Sequence, residues 1–250
     1  MIDKRLLYPL LIACLLAGAG LYFPESPDSR PANGNPSSAE LTGTVLLPPR
    51  QPDRRRFRGR AYRQRTNRGR DSNTKSTTSS AENRYRSVII SAHPLSADPD
   101  VEPLDPVEID QQDAMFVPQV TPVTAGTTVE FVNSDPFYHN VFSLTPGARF
   151  NIGRRPTDVV VPETIPALDK PAPGLGVVEL HCDIHPQMNA FIVTLKTPYF
   201  TRANKDGTYS LGDLPPGRYR ILAYMPRQDL VRFEVELGEG DQLSRPIDLR

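Results

Sequence analysis

From residue 107 onward, short apolar runs alternate with Gly, Pro and Asn-Asp punctuation, a spacing that predicts the strands of a β-sandwich or barrel. In TTVEFVN (127–133) Val129 and Phe131 share one face. In VVELHC (177–182) Val178, Leu180 and Cys182 share one face, and the period of two sends Glu179 and His181 to the other. AFIVTL (190–195) predicts the next strand. Upstream, LTGTVLL (41–47) and SVIISA (87–92) predict two more. Residues 197–250 alternate turn and strand signals: Asn204-Lys205-Asp206-Gly207, TYSLGDL, Pro215-Pro216-Gly217, RYRILAYM and VRFEVEL (231–237). The expected fold class is all-β.

Composition limits how much of the chain can fold. Hydrophobic residues make up 38% of the 250, below the roughly 45–50% of ordinary globular domains, so part of the chain builds no core. The 27 prolines argue against long helices. The charges balance, with 29 basic and 29 acidic residues, but they are segregated. Residues 48–86 form an Arg-rich insertion expected to be disordered, and 98–113 is acidic without Lys or Arg. Arg58-Gly59-Arg60 and Arg68-Gly69-Arg70 superficially look like RNA-binding segments. The N-terminus argues against a nucleic-acid partner. Lys4 and Arg5 precede an apolar run to Phe23, so residues 1–23 read as an export signal or a membrane anchor. Cleavage after Ala17-Gly18-Ala19, lipidation at Cys14 and retention as a tether through residues 6–23 are the open processings, with the first favoured. Residues 24–40 read as a solvated linker.

Export leaves Cys182 as the one cysteine of the mature chain, without a disulfide partner. A lone accessible thiol oxidises in an oxidising compartment, so Cys182 is expected to be buried, modified or bound to a metal. Its surroundings favour the metal. Cys182-Asp183-Ile184-His185-Pro186-Gln187-Met188 joins two predicted strands and brings a thiolate, an imidazole and a thioether together. His139, in the earlier loop Asn133-Ser134-Asp135-Pro136-Phe137-Tyr138-His139, supplies a second imidazole. Two His, one Cys and a weak axial Met are the donors of a blue-copper electron-transfer site. Zinc fits less well, because Met is not among its usual ligands. With only His93 and His181 to spare, the chain lacks the further histidine clusters of copper oxidases and nitrite reductases, and no enzyme is expected. Both of those histidines read as bystanders, although His181 could border an electron-exit surface.

Residues 107–196 resemble a cupredoxin with the short ligand loop of amicyanin. The resemblance rests on Val123-x-x-Gly126-x-x-Val129-x-Phe131-x-Asn133, on His139-Asn140-Val141, and on the Cys182, His185, Met188 loop. It implies a Greek-key β-sandwich holding one type 1 copper, with His139, Cys182 and His185 roughly in a plane and Met188 axial at longer distance. It also implies that Asn140 ties the two ligand loops by hydrogen bonds. The long Pro-rich connection from Phe150 through Pro173 departs from the pattern and leaves the strand count there open.

Residues 200–224 resemble the carboxypeptidase regulatory-like β-sandwich, a non-catalytic module. About fifty residues are few for an independent sandwich. The expected organisation is therefore a discontinuous second sandwich from 41–95 and 197–250, with the cupredoxin domain at 96–196 between its halves. The functional expectation is an exported, periplasmic or extracellular protein similar to those described as methylamine-utilisation-like. It would carry single electrons between redox partners such as a cytochrome or a dehydrogenase. The rival is a cell-envelope binding scaffold in which copper is structural or sequestered.

Overall fold

The computed structural model describes residues 38–49, 84–96 and 99–250. The apolar segment 1–23, residues 24–37 and most of the Arg-rich stretch 48–86 lie outside the described residues. Among the described residues, no helix is long and apolar enough to cross a membrane.

The described chain is built of strands. In order they are β1 (Ala39–Leu46), β2 (Ile89–Pro94), β3 (Val107–Gln112), β4 (Met115–Val117), β5 (Val120–Thr124), β6 (Thr128–Asn133), β7 (His139–Ser143), β8 (Phe150–Arg155) and β9 (Val161–Thr164). There follow β10 (Pro171–Ala172), β11 (Leu175–His181), β12 (Asn189–Leu195), β13 (Phe200–Arg202), β14 (Thr208–Leu214), β15 (Gly217–Tyr224), β16 (Val231–Leu237), β17 (Gln242–Ser244) and β18 (Ile247–Asp248). The Pro-rich connection after Phe150 thus contains β8, β9 and β10.

Two boundaries differ from expectation. The linker expected to reach residue 40 ends earlier, because Glu40 N–H donates to Asp241 O (2.8 Å) and draws Ala39 and Glu40 into β1. The strand expected from Ser87 begins at Ile89, because the amides of Ser87 and Val88 bond back to the carbonyls of Arg84 and Tyr85 and close a turn. That turn also corrects the C-terminal end of the Arg-rich insertion. Arg84 Nη2 donates to Pro48 O (2.7 Å), so residues on its two flanks are held together.

Two buried clusters define two sandwiches. The first sandwich pairs the sheet β5-β12-β11-β7-β8, with β10 beside β11, against the sheet β4-β3-β6-β9. Its core includes Ile109, Val129, Phe131, Val141, Val178, Leu180, Cys182 and Ile192. The second pairs β14-β1-β17, with β18 also against β1, with β13-β2-β15-β16. Its core includes Leu41, Ile90, Tyr209, Leu214, Ile221 and Ile247. Strands β1 and β2 therefore pair with strands drawn from residues 200–250: β1 runs antiparallel to β14 and parallel to β17 and β18, and β2 lies between β13 and β15.

A third apolar cluster lies between the outer faces of β12 and β15. β12 turns Ala190 and Ile192 into the first core and Phe191, Val193 and Leu195 into this third cluster. β15 likewise turns Tyr219, Ile221 and Ala223 into the second core, and Leu222 and Tyr224 into the third. Burial on both faces is why AFIVTL and RYRILAYM are nearly continuous apolar runs rather than alternating ones. Thr197 Oγ1–H donating to Ala92 O (2.7 Å) and Arg202 Nη1–H to Val120 O (2.8 Å) add polar ties across the same seam.

Leu222 is fully buried in that seam, so Leu222→Ala is expected to cost about 2–5 kcal/mol through lost burial and the cavity left behind. Chemical denaturation followed by circular dichroism checks this; an unchanged midpoint would show that the seam contributes little.

Candidate metal centre

Two segments converge on the end of the first sandwich. His139 opens β7, Cys182 follows the last residue of β11, and His185 sits in the short loop before β12. The strand period does what the sequence predicts at Cys182: its side chain turns inward and is buried, while His181 stays 40% exposed beside Glu179 at 3.7 Å. Met188 N–H donates to His185 O (2.9 Å), closing the loop into a turn.

The donor atoms of His139, Cys182 and His185 all lie within 4.8 Å of one another. Cys182 Sγ is 3.9 Å from His139 Nδ1 and 3.9 Å from His185 Nδ1, and the two Nδ1 atoms are 3.0 Å apart. Both imidazoles thus turn the same nitrogen, Nδ1, toward the Cys182 sulfur. Met188, the fourth residue singled out in the sequence, is buried in the hydrophobic cluster that contains Cys182. His93 is remote from this group: it lies on β2, with Nε2 2.9 Å from Ser91 Oγ.

The surroundings hold the donors in place. Asn140 Oδ1 accepts the Asp183 amide (2.8 Å), joining the β7 segment to the Cys182–His185 loop. Asn140 O in turn accepts a bond from the buried Gln111 Nε2 (3.3 Å). Phe137 packs its ring against both imidazoles, at centroid distances of 5.0 Å from His139 and 5.5 Å from His185. Asn133 Nδ2 fixes this loop by donating to Phe137 O (2.9 Å) and Arg155 O (3.1 Å). His139 is fully buried and His185 half-buried. Desolvation, reinforced by the neighbouring His139 and opposed by Asp135, moves the His185 pKa below the ordinary imidazole value. The neutral, ligating form is favoured there.

Asp135 was not singled out from the sequence. It lies four residues before His139, and its Oδ2 is 2.7 Å from His139 Nε2. An acidic residue inside the loop that carries a predicted ligand was the available signal. Gln111 carried none, because it reaches the site only through the β3–β6 pairing that brings it beside Asn133.

The donor set fits a soft-to-borderline transition metal, since a thiolate and two imidazoles suit copper or zinc rather than magnesium or calcium. The architecture and site together define a β-sandwich with a His2Cys donor group. No protein-family model and no curated protein matches the chain. Among solved structures, a purple cupredoxin from Nitrosopumilus maritimus aligns at 19% identity over 35% of this chain and 98% of that one, with a TM-score of 0.30. A proline-to-glycine variant of amicyanin in its reduced Cu(I) form at pH 4 aligns at 17% over 42% of this chain and 97% of its own, with a TM-score of 0.31. A copper-containing nitrite reductase from Thermus scotoductus aligns at 25% over 41% of this chain but only 25% of that one, with a TM-score of 0.32.

Proposed function

We propose that this chain is an exported type 1 copper protein that carries single electrons between extracytoplasmic redox partners. The observation that carries the proposal is the convergence of the His139, Cys182 and His185 donor atoms within 4.8 Å at the end of a β-sandwich. Copper bound there supplies the one-electron couple. His139, Cys182 and His185 would hold it, with Met188 as the weak fourth donor.

The protein's part is to keep the donors still. Cys182 is held at the end of β11, His139 by β7 and the Asp135 carboxylate, and the two ligand segments by the Asn140 bond to Asp183. A cage that does not rearrange when the charge changes suits electron transfer. His185 is the half-buried donor, with the 43%-exposed Phe137 against it, so this edge is where a cytochrome or dehydrogenase would approach. A site saturated by protein donors leaves no open position for substrate, and the proposal assigns no catalysis. In this reading residues 96–196 are the copper module, and 41–95 with 197–250 form a non-catalytic supporting sandwich of the carboxypeptidase regulatory-like kind. Residues 1–23 direct export or tether the protein on the periplasmic or extracellular side.

The test is to titrate the full chain in detergent with Cu(II), following visible absorption and electron paramagnetic resonance together. An intense thiolate-to-copper band with narrow copper hyperfine splitting is expected. A colourless protein with an ordinary tetragonal signal would overturn the assignment. Met188→Leu is expected to retain copper and the band but raise the reduction potential, since removing a weak sulfur donor disfavours Cu(II). Voltammetry reads the shift, and a fall in potential would exclude Met188 from the site.

A further inference from the structure

We infer that Asp135 is a positioning residue that fixes His139 in one tautomer and biases the centre toward its oxidised form; the inference rests on the copper reading above. Asp135 is 5% exposed, and each of its carboxylate oxygens is engaged. Oδ1 accepts the Asp113 amide (2.8 Å), and Oδ2 accepts the Ala114 amide (2.9 Å) while lying 2.7 Å from His139 Nε2. With both oxygens already accepting amide hydrogens, Nε2 takes the role of donor. The proton of a neutral His139 then sits on Nε2, and the bare lone pair of Nδ1 faces Cys182 and His185.

The cradle is built deliberately by the backbone. β3 and β4 pair with Gln112 opposite Met115, leaving Asp113 and Ala114 as a two-residue hairpin loop. Both have φ of 54°, the left-handed conformation of a type I′ turn, which an alanine adopts rarely. In that conformation the two amides point together at Asp135. The Asp135 backbone is anchored as well: its N–H donates to Asn133 Oδ1 (3.1 Å), and Thr157 Oγ1–H donates to its carbonyl O (2.6 Å). The two hairpin amides, a buried carboxylate and a buried imidazole thus form one hydrogen-bonded line ending at the metal donors. A carboxylate behind a ligating imidazole orients the ring and raises its basicity. Its negative charge, screened little at this depth, stabilises Cu(II) more than Cu(I).

The experiment uses the full chain and begins without copper. Long-range ¹⁵N NMR of the metal-free protein is expected to show His139 as the Nε2–H tautomer. An Nδ1–H tautomer in the unaltered protein would overturn the inference, whatever any variant does. Asp135→Asn then removes the charge and sets an amide group against the hairpin amides. It is expected to lose the fixed tautomer and to shift copper preference at least tenfold toward Cu(I), which is about 59 mV upward for a one-electron couple. A variant with a lowered melting temperature but an unchanged potential would show that Asp135 only tethers the hairpin. Absence of a thiolate band in the unaltered protein would instead refute the copper reading itself, and the tautomer result would stand apart from it.

Discussion

Cys182→Ser is expected to abolish the intense visible band of the copper-loaded protein and leave a tetragonal Cu(II) signal, or no bound copper at all. Serine has nearly the volume of cysteine, so the first core is preserved, but its hydroxyl is a hard donor that stays protonated near neutral pH. The band arises from charge transfer out of a thiolate, and the two imidazoles that remain have no such transition. Soft sulfur is also what favours Cu(I), so its removal is expected to weaken Cu(I) binding more than Cu(II). The surroundings sharpen the result. Cys182 is 3% exposed among Val141, Leu180, Met188 and Ala190, and burying a hydroxyl there costs about 1–3 kcal/mol if it lacks a partner. Circular dichroism of the variant checks that it remains folded, and absorption with paramagnetic resonance checks the centre. A blue Cys182→Ser protein would refute the assignment of Cys182 as the thiolate donor.

Gly43→Ala is expected to be the most damaging single methyl in the second sandwich. Gly43 lies in the middle of β1, opposite Tyr209 of β14. A Cβ there would come 1.9 Å from Arg245 O and 2.8 Å from Tyr209 Cε1. The first contact is with backbone, which cannot swing aside as a side-chain tip can. Relieving it moves the segment between β17 and β18, where Arg245 N–H donates to Thr42 O (2.8 Å) and Tyr209 Oη–H donates to Arg245 O (2.7 Å). The same burial that brings Tyr209 here pushes its phenol pKa up to about 12, so the hydroxyl remains a donor across the neutral range. Overpacking plus these hydrogen bonds amounts to about 3 kcal/mol. That is a fall in melting temperature of about 6–12 °C for a chain of this size. Differential scanning calorimetry reads it directly, and a melting temperature within 1–2 °C of the unaltered protein would show that the chain end yields easily.

How far the site could be read in advance depended on distance along the chain. Cys182, His185 and Met188 fall within seven residues, and a period of two was enough to turn Cys182 inward and His181 outward. The resemblance implied that Asn140 ties the two ligand loops, and the structure supplies the partner: Asn140 Oδ1 accepts the Asp183 amide. The long connection after Phe150 was harder, because its strands are short and polar. β8 and β9 are recognisable only through their partners β7 and β6.

The sequence by itself determined the all-β class, the faces of its strands and the donor types of the local ligand loop, because each depends on neighbours a few residues apart. Tertiary structure alone decided three other features: the register of β1 against β14, β17 and β18, the burial of both faces of β12 and β15, and the placement of the Asp113–Ala114 hairpin against Asp135. Each joins segments separated by twenty to two hundred residues. No local pattern encodes such contacts, because they form only when the burial of several strands together offsets the entropy of closing the loops between them.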